Sequence, residues 1–175
     1  MRKKLALLLA LAFAFICLAG CDLISFTDPA VKRRESIANF LDKDVTGKAG
    51  ETYKTKWFEF AIDSIEKADA YKTCQAKKGH QLYVVLVTVK SIGEEPVPMG
   101  IFDFYMDAPD FTEYIWPIPP VDDTMMPEEY DLESGETVQY TMIFEVPTDT
   151  TGLALLYTEN YEGGNDGATF SIDIE

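Results

Sequence analysis

After residue 50 the chain alternates apolar and polar residues with a period of two, the pattern of half-buried β-strands. Four such runs predict four strands, and each places its apolar residues on one face. These residues are Phe58, Phe60 and Ile62; Phe102, Phe104 and Met106; Val138, Tyr140, Met142, Phe144 and Val146; and Ala168, Phe170, Ile172 and Ile174. In the last two runs the residues between these positions are mostly polar, and they predict a second face that is in contact with water.

One further run is apolar on both faces and predicts a central strand. From Leu82 to Val89, valines on one side oppose leucine and valine residues on the other, as in a strand that is covered on both faces. About seven short strands separated by turn residues, with almost no helical pattern after residue 50, predict an all-β, antiparallel, immunoglobulin-like sandwich. A small barrel is the alternative.

The segment before residue 50 has a different period. Asp28 and Pro29 combine a helix N-cap with proline at the first helical position, and apolar residues then recur at near-helical spacing up to Leu41. We predict a short helix from Pro29 to about Asp42 and a turn-rich joint over residues 44–50. The globular domain is expected to begin near residue 50.

The start of the chain has the pattern of a secretion signal. Met1–Lys4 is basic, Leu5–Ile16 is apolar and small residues precede Cys21, and the apolar stretch is too short to span a bilayer as a helix. Cys21 stands where the lipobox of bacterial lipoproteins has its lipidated cysteine. We predict a signal peptide at 1–20, a lipidated tether at 21–49 and a sandwich domain at 50–175.

This arrangement predicts a protein anchored through lipid on Cys21 at the extracytoplasmic face of a cell membrane. Two or three acyl chains would make the anchoring effectively stable. The alternative is an ordinary secreted protein that is cut near the same position.

Cysteine usage leaves no internal disulfide. Cys17 leaves with the signal peptide, Cys21 takes the lipid, and Cys74 then has no partner in the chain. The fold must therefore depend on packing, unlike the small secreted modules that disulfides hold together.

Charge is distributed unevenly along the chain. Residues 22–90 contain twelve Lys or Arg against ten Asp or Glu, whereas residues 91–175 contain none against twenty. Such an acidic surface repels phosphate backbones, so we expect no nucleic-acid partner. Solubility is the simplest reason for this charge.

Catalytic signatures are sparse. His80 is the single histidine, and one histidine cannot build a histidine-based metal site. Cys74 and His80 could form a nucleophile pair with lysines nearby, although a loop thiol beside an edge histidine is the simpler interpretation. The sequence has no phosphate-binding loop and no nucleophile elbow, and we expect a non-enzymatic protein without a cofactor.

Acidic residues cluster at three places that could supply the oxygen ligands of calcium. The clusters are Asp107 with Asp110, Asp122 with Asp123, and Asp166 with Glu159 and Asn165. None has the spacing of an EF-hand loop, so solvated acidic turns are the favoured interpretation. A calcium-binding or catalytic surface lipoprotein that uses these carboxylates is the alternative function.

Residues 96–127 are unusual because they contain seven of the nine prolines together with several aromatic residues. A loop of this length is either functional or disordered, and fixed proline geometry lowers the ordering cost of binding. We predict an interaction surface centred on Tyr114, Trp116 and Met125, for a protein or a glycan of the cell envelope. The alternative is that Trp116 and its neighbours cap an open end of the sandwich.

Four sequence features follow one another along the predicted domain. They are an aromatic strand after Gly50 (Trp57, Phe58, Phe60), a valine-rich strand after Gly79 (Leu82, Val84, Val85, Val87, Val89), a turn with Gly93, Glu95, Pro96 and Val97, and Leu132-x-x-Gly135-Glu136 leading to Phe144-Glu145-Val146-Pro147. Together they resemble an uncharacterised family of extracellular domains, common on lipoproteins of Gram-positive bacteria. Its fold is an immunoglobulin-like sandwich related to a mycobacterial immunoprotective antigen.

The resemblance has two limits. Ser91 stands where the family more often has asparagine, and the resemblance does not explain the proline-rich insertion. What it implies is a binding or accessory domain with no established catalytic residue.

Overall fold

The computed structural model describes residues 44–160 and 166–174. The predicted signal peptide, Cys21 and the helix over residues 29–42 lie outside the described residues. Within the described ranges, no helix is both long and apolar enough to cross a membrane.

The described residues form strands joined by turns, with one short 3₁₀ turn at Ile101–Asp103. In chain order the strands are β1 (Val45–Lys48), β2 (Thr52–Lys54), β3 (Phe58–Ala68), β4 (Ala70–Tyr71), β5 (Cys74–Gln75), β6 (His80–Ser91), β7 (Val97–Met99), β8 (Phe104–Asp107), β9 (Tyr130–Leu132), β10 (Thr137–Pro147), β11 (Ala154–Asn160) and β12 (Asp166–Asp173).

Two four-stranded sheets make up the sandwich. Sheet A has the order β1-β12-β11-β8, and sheet B has the order β10-β6-β3-β2. Two short ladders, β4 with β5 and β7 with β9, accompany them. The predicted all-β antiparallel sandwich is confirmed, with one exception in the pairing of β1.

Strand β1 pairs with β12 in parallel, whereas every other pairing between the described strands is antiparallel. It also lies before residue 50, where we expected a turn-rich joint at the end of the tether. That expectation is wrong, because residues 45–48 add a strand to sheet A. The chain then crosses to sheet B, and the Tyr53 hydroxyl fixes the crossing by hydrogen-bonding the Lys48 carbonyl at 2.7 Å.

The predicted central strand is confirmed as β6, which lies between β10 and β3 in sheet B. Directly opposed residues share a face in an antiparallel pair, so the register places Phe60 beside Val89 and Val87 beside Tyr140. This face of sheet B turns towards sheet A and forms one wall of the core.

Aromatic rings join the two walls at the centre of the sandwich. Phe60, from sheet B, has its ring centroid 5.7 Å from Phe104, 5.8 Å from Tyr157 and 5.7 Å from Phe170, all three in sheet A. These rings meet at angles of 61–74°, close to the edge-to-face arrangement that aromatic pairs favour. No disulfide is needed to hold the sheets together, and Cys74 is a free thiol.

A buried carboxylate adds a polar connection between the sheets. Glu159 in β11 is fully buried, and its Oε1 accepts a hydrogen bond of 2.8 Å from the backbone N–H of Lys56. Lys56 lies in the turn between β2 and β3, so this bond links sheet A to sheet B.

The expected strand over residues 102–106 is wrong at its start. Phe104 and Met106 are fully buried in β8, but Phe102 lies in the 3₁₀ turn and is 41% exposed. The turn changes the direction of the side chains, because the period of two holds only in extended backbone. Asp103 stabilises the turn by accepting the Gly100 N–H at 2.7 Å.

Residues 108–127, called here the bridging segment, pair with the outermost strand of each sheet. Ile115 exchanges two backbone hydrogen bonds of 2.8 Å with Met106 at the free edge of β8. Ile118 then donates to the carbonyl of Ile143 at 2.7 Å, at the free edge of β10. The segment therefore closes one side of the sandwich by covering an edge of both sheets.

A second stretch of the bridging segment continues along β10. Thr141 donates its N–H to the carbonyl of Thr124 at 3.0 Å and accepts the N–H of Met126 at 3.1 Å. Thr141 and Ile143 are both buried, although their face of β10 was expected to be wet. The strand pattern did not reveal this, because the covering residues come from a distant part of the sequence.

We expect Met126→Ala to lower the free energy of unfolding by about 2–5 kcal/mol, since truncating a buried methionine leaves a cavity. The Met126 side chain is 0% exposed. Val121→Ala is the matched control in the same segment, because Val121 is 45% exposed, and its effect should stay below about 0.5 kcal/mol. Urea denaturation followed by circular dichroism measures both. Equal, small effects would contradict the inclusion of the bridging segment in the folded core.

Candidate functional site

Three aromatic side chains meet on the outer face of sheet A, where β8 pairs with the bridging segment. The Tyr105 ring centroid lies 4.6 Å from that of Tyr114 and 5.4 Å from that of Trp116. Backbone alternation explains the grouping. Ile115 pairs with the inward-facing Met106, so residues 114 and 116 project to the same outer side as residue 105. We call these three residues the aromatic cluster.

Tyr105, the inner member of the aromatic cluster, is fixed by a hydrogen bond. The hydroxyl of Tyr105 lies 2.7 Å from Oγ1 of Thr158 in β11, which itself lies 3.3 Å from Oγ1 of Thr169 in β12. Tyr105 is partly buried, whereas Tyr114 and Trp116 are each 52% exposed. The cluster thus has a fixed base and two accessible rings.

Met125 does not belong to this surface. We predicted it beside Tyr114 and Trp116, but it is only 1% exposed. Its sulfur accepts the backbone N–H of Val121 at 3.4 Å, so the side chain supports the bridging segment from inside. The structure therefore brings Tyr114 and Trp116 together and places Met125 in the core. Tyr105 was the member that sequence analysis missed, and its outward position in the alternation of β8 was the available signal.

An ion pair between Lys72 and Asp122 also holds the bridging segment in place. Nζ of Lys72, in the turn between β4 and β5, lies 2.6 Å and 2.8 Å from the two carboxylate oxygens of Asp122. It also donates to the hydroxyl of Thr124. The hydrogen bond from Lys72, followed by those from Thr124, lowers the pKa of Asp122 to about 2. The same bond raises the pKa of Lys72.

The predicted calcium ligands are distributed over separate sites. Asp122 is engaged by Lys72, and Asp107 accepts the backbone N–H of Ala108 at 2.9 Å within its own turn. Asp110 and Asp123 are exposed, and the side chain of Asp166 lies outside the described residues. Among the residues that the structure describes, no group of three or more His, Cys, Asp or Glu side chains could hold a metal ion.

Cys74 and His80 lie in strands that follow one another along the chain. Within the described residues, no hydrogen bond joins their side chains. Cys74 begins β5 and His80 begins β6. Nδ1 of His80 lies 3.5 Å from the carbonyl oxygen of Lys78, within its own turn. The proposed nucleophile pair therefore gains no support from this geometry.

A groove of about 590 Å³ beside the β7–β9 ladder was not anticipated from the sequence. Its lining residues include the exposed ring of Phe102 and the carboxylates of Asp103, Glu128, Glu129 and Asp131. Burial raises the pKa of Asp103, against the opposing effect of its hydrogen bond from Gly100. The hydroxyl of Tyr130 is buried without a hydrogen-bond partner, and burial raises its pKa as well. The acidic run from 128 to 131 was the available sequence signal.

A protein-family model matches most of the described chain. The family is a domain of unknown function, DUF4352, and the match covers residues 47–168. That range includes β1 from Gly47 onwards, the aromatic cluster and the bridging segment. No curated protein matches this chain significantly.

Solved structures with the same fold come from several bacteria. The yjhA protein from Bacillus subtilis has 16% identity and a TM-score of 0.54 over 74% of this chain and 99% of its own. The ycdA protein from Bacillus subtilis, described as a "putative lipoprotein", has 19% identity and a TM-score of 0.54 over 70% of this chain and 38% of its own. The secreted protein MPT63 from Mycobacterium tuberculosis has 14% identity and a TM-score of 0.54 over 73% of this chain and 97% of its own. At these identities the likeness establishes the sandwich fold alone.

We expect part of the stability of the protein to be lost at acid pH, because it comes from the Lys72–Asp122 pair. The pKa of Asp122 is about 2 in the folded protein against an ordinary value of 3.8. The pair therefore stabilises the fold above about pH 4, and this contribution is lost as the pH falls towards 2. Asp122→Asn should show a smaller fall in melting temperature over this range than the wild type.

Lys72→Gln should give the same flatter profile, because it removes the other partner of the pair. Thermal melts at half-unit steps from pH 5 to pH 2 compare the three proteins. An Asp122→Asn profile that runs parallel to that of the wild type would contradict the role of the pair.

Proposed function

The chain belongs to the DUF4352 family of domains of unknown function, and from this premise we propose an extracytoplasmic, lipid-anchored binding protein. The lipid is attached at Cys21, and the sandwich binds a protein or polymer of the cell envelope without catalysing a reaction. Its binding surface is the aromatic cluster of Tyr105, Tyr114 and Trp116.

The extracytoplasmic address is supported by the sequence and by the kind of protein that shares the fold. A basic start, an apolar stretch and Cys21 follow one another as in a lipoprotein signal. One structure of the same fold carries a lipoprotein description, and another is a secreted protein. Lipid anchoring of this chain is a further part of the proposal, and Cys21 is the residue that would carry the lipid.

The observation that carries the binding role is the exposure of two large rings on a fixed backbone. Tyr114 and Trp116 are each 52% exposed, although the residue between them exchanges two hydrogen bonds with β8. A surface whose backbone is already ordered loses little conformational entropy on binding. Exposed aromatic residues of this kind dominate binding energy at many interfaces.

The proposal of a non-catalytic protein rests on the small supply of catalytic groups. The sequence has one histidine, and the structure gives His80 a backbone contact in its own turn. We also propose no nucleic-acid partner, because residues 91–175 contain twenty acidic residues and no basic residue.

The anchor is tested by metabolic labelling of cells with an alkyne-tagged fatty acid. We expect the wild type to carry the label and Cys21→Ala to carry none, because the thiol is the attachment point. Cys74→Ala is the matched control and should be labelled as strongly as the wild type. Equal labelling of wild type and Cys21→Ala, or absence of label from both, would overturn the anchor.

The binding surface is tested by sedimentation of the detergent-extracted protein with isolated cell envelopes. We expect Trp116→Ala to reduce the bound fraction at least fivefold, because it removes one of the two half-exposed rings of the aromatic cluster. Phe102→Ala is the matched control, since Phe102 is exposed to a similar extent at a different place. It should bind like the wild type.

Circular dichroism of the same samples separates loss of binding from loss of folding. A folded Trp116→Ala protein that binds envelopes as well as the wild type would contradict the role of the aromatic cluster.

A further inference from the structure

We propose that the aromatic cluster is one end of a track for an uncharged polysaccharide that lies across the outer face of sheet A. This inference rests on the proposed function and deepens it by naming the class of ligand. The chemistry that the track recognises is a chain of pyranose rings with an apolar C–H face and uncharged hydroxyl or acetamido groups.

The register of sheet A gives the track its length. Trp116 lies opposite Tyr105, and from Tyr105 the row continues through Leu156, Ser171 and Thr46 on the same outer face. Neighbouring strands lie about 4.8 Å apart, so four steps from strand to strand give a row of roughly 19 Å. Such a row can contact several consecutive sugar rings.

The side chains along this row change from aromatic to hydroxyl. Trp116 offers a half-exposed ring on which the C–H face of a pyranose stacks, and the partly buried Tyr105 and Leu156 on the next strand continue the apolar surface. Ser171 and Thr46 then offer hydroxyl groups, which both donate and accept hydrogen bonds. This combination of ring faces and neutral hydrogen-bonding groups matches a sugar chain, whose units also combine an apolar face with hydroxyls.

The charge around the track disfavours anionic polymers of an envelope as ligands. The row beside it contains Asp107, Ala154 and Asp173, and Lys48 follows only at the far edge of the sheet. Asp107, beside the rings, and Asp173, two strands further along the sheet, repel phosphate groups but accept hydrogen bonds from sugar hydroxyls. An uncharged glycan therefore fits better than a phosphate-bearing one.

The small apolar area favours a glycan over a protein. A stable protein interface buries about 800 Å² on each partner around an apolar centre. Two half-exposed rings supply a small part of that area, and the other exposed large hydrophobic residues of the described chain, Phe102 and Val121, lie outside the row. Stacking on one sugar face requires only a ring or two.

The test is sedimentation of the full-length, detergent-extracted protein with insoluble polysaccharides. The probes are envelope glycan stripped of protein and of phosphate polymers, chitin, and mannan, with glycerol-phosphate polymer as a soluble competitor. We expect retention on at least one neutral glycan that the anionic competitor does not displace. Trp116→Ala should weaken this retention at least tenfold and Trp116→Phe less, while Phe102→Ala should leave it unchanged.

A second measurement detects the contact on the track itself. In a Trp57→Phe background, Trp116 is the only tryptophan left, and a soluble fragment of the retained glycan should change its fluorescence. Ser171→Glu adds a charge on the same row, two strands away from Tyr105, and should also weaken retention. If Trp116 served only the stability of the fold, Ser171→Glu would retain the glycan as well as the wild type.

Each outcome bears on the proposal. If the protein were retained on no neutral glycan, the proposed glycan ligand would be overturned. If envelope binding still depended on Trp116 in that case, the proposed binding function would stand with a protein as the ligand. Displacement by the glycerol-phosphate polymer would overturn the uncharged class. Retention of folded Trp116→Ala at the wild-type level would overturn the track, and unchanged envelope binding by this variant would overturn the binding surface as well.

Discussion

The backbone hydrogen bonds between the bridging segment and the two sheet edges determine much of this structure. An open edge presents unpaired N–H and C=O groups that invite association with another chain, and buried groups of this kind are costly when they lack partners. Ile115 satisfies the edge of β8, while Ile118 and Thr124 satisfy that of β10. A proline-rich insertion that looks like a free loop in the sequence thus serves as a structural closure.

The closure and the candidate binding surface have the same cause. Pairing of Ile115 with Met106 directs one side chain inwards, and the alternation of extended backbone then directs Tyr114 and Trp116 outwards. The two interpretations of the segment that the sequence left open, capping and binding, are therefore compatible. Buried residues such as Met125 and Met126 do the capping, and their exposed neighbours form the aromatic cluster.

The parts of the fold that follow from local pattern could be predicted from the sequence. The alternation around Phe60 and the doubly apolar run of β6 identify the core face and the central strand, because burial of a strand depends on its own period of two. The parallel pairing of β1 could not be predicted, since Val45 and its partner Phe170 are far apart in the sequence. Met125 illustrates the same limit, because nothing in its local sequence distinguishes a buried methionine from an exposed anchor.

The order of strands in sheet A also relates the proposed anchor to the aromatic cluster. The described chain enters the sandwich at β1, which is one edge of the sheet, and the cluster lies beside β8 at the other edge. The whole width of sheet A therefore lies between the strand at which the described chain begins and the rings, and the proposed lipid on Cys21 would be attached on the N-terminal side of that strand. Because the row from Trp116 to Thr46 runs in that same direction, the proposed ligand would extend across sheet A from the edge beside β8 to the edge at β1.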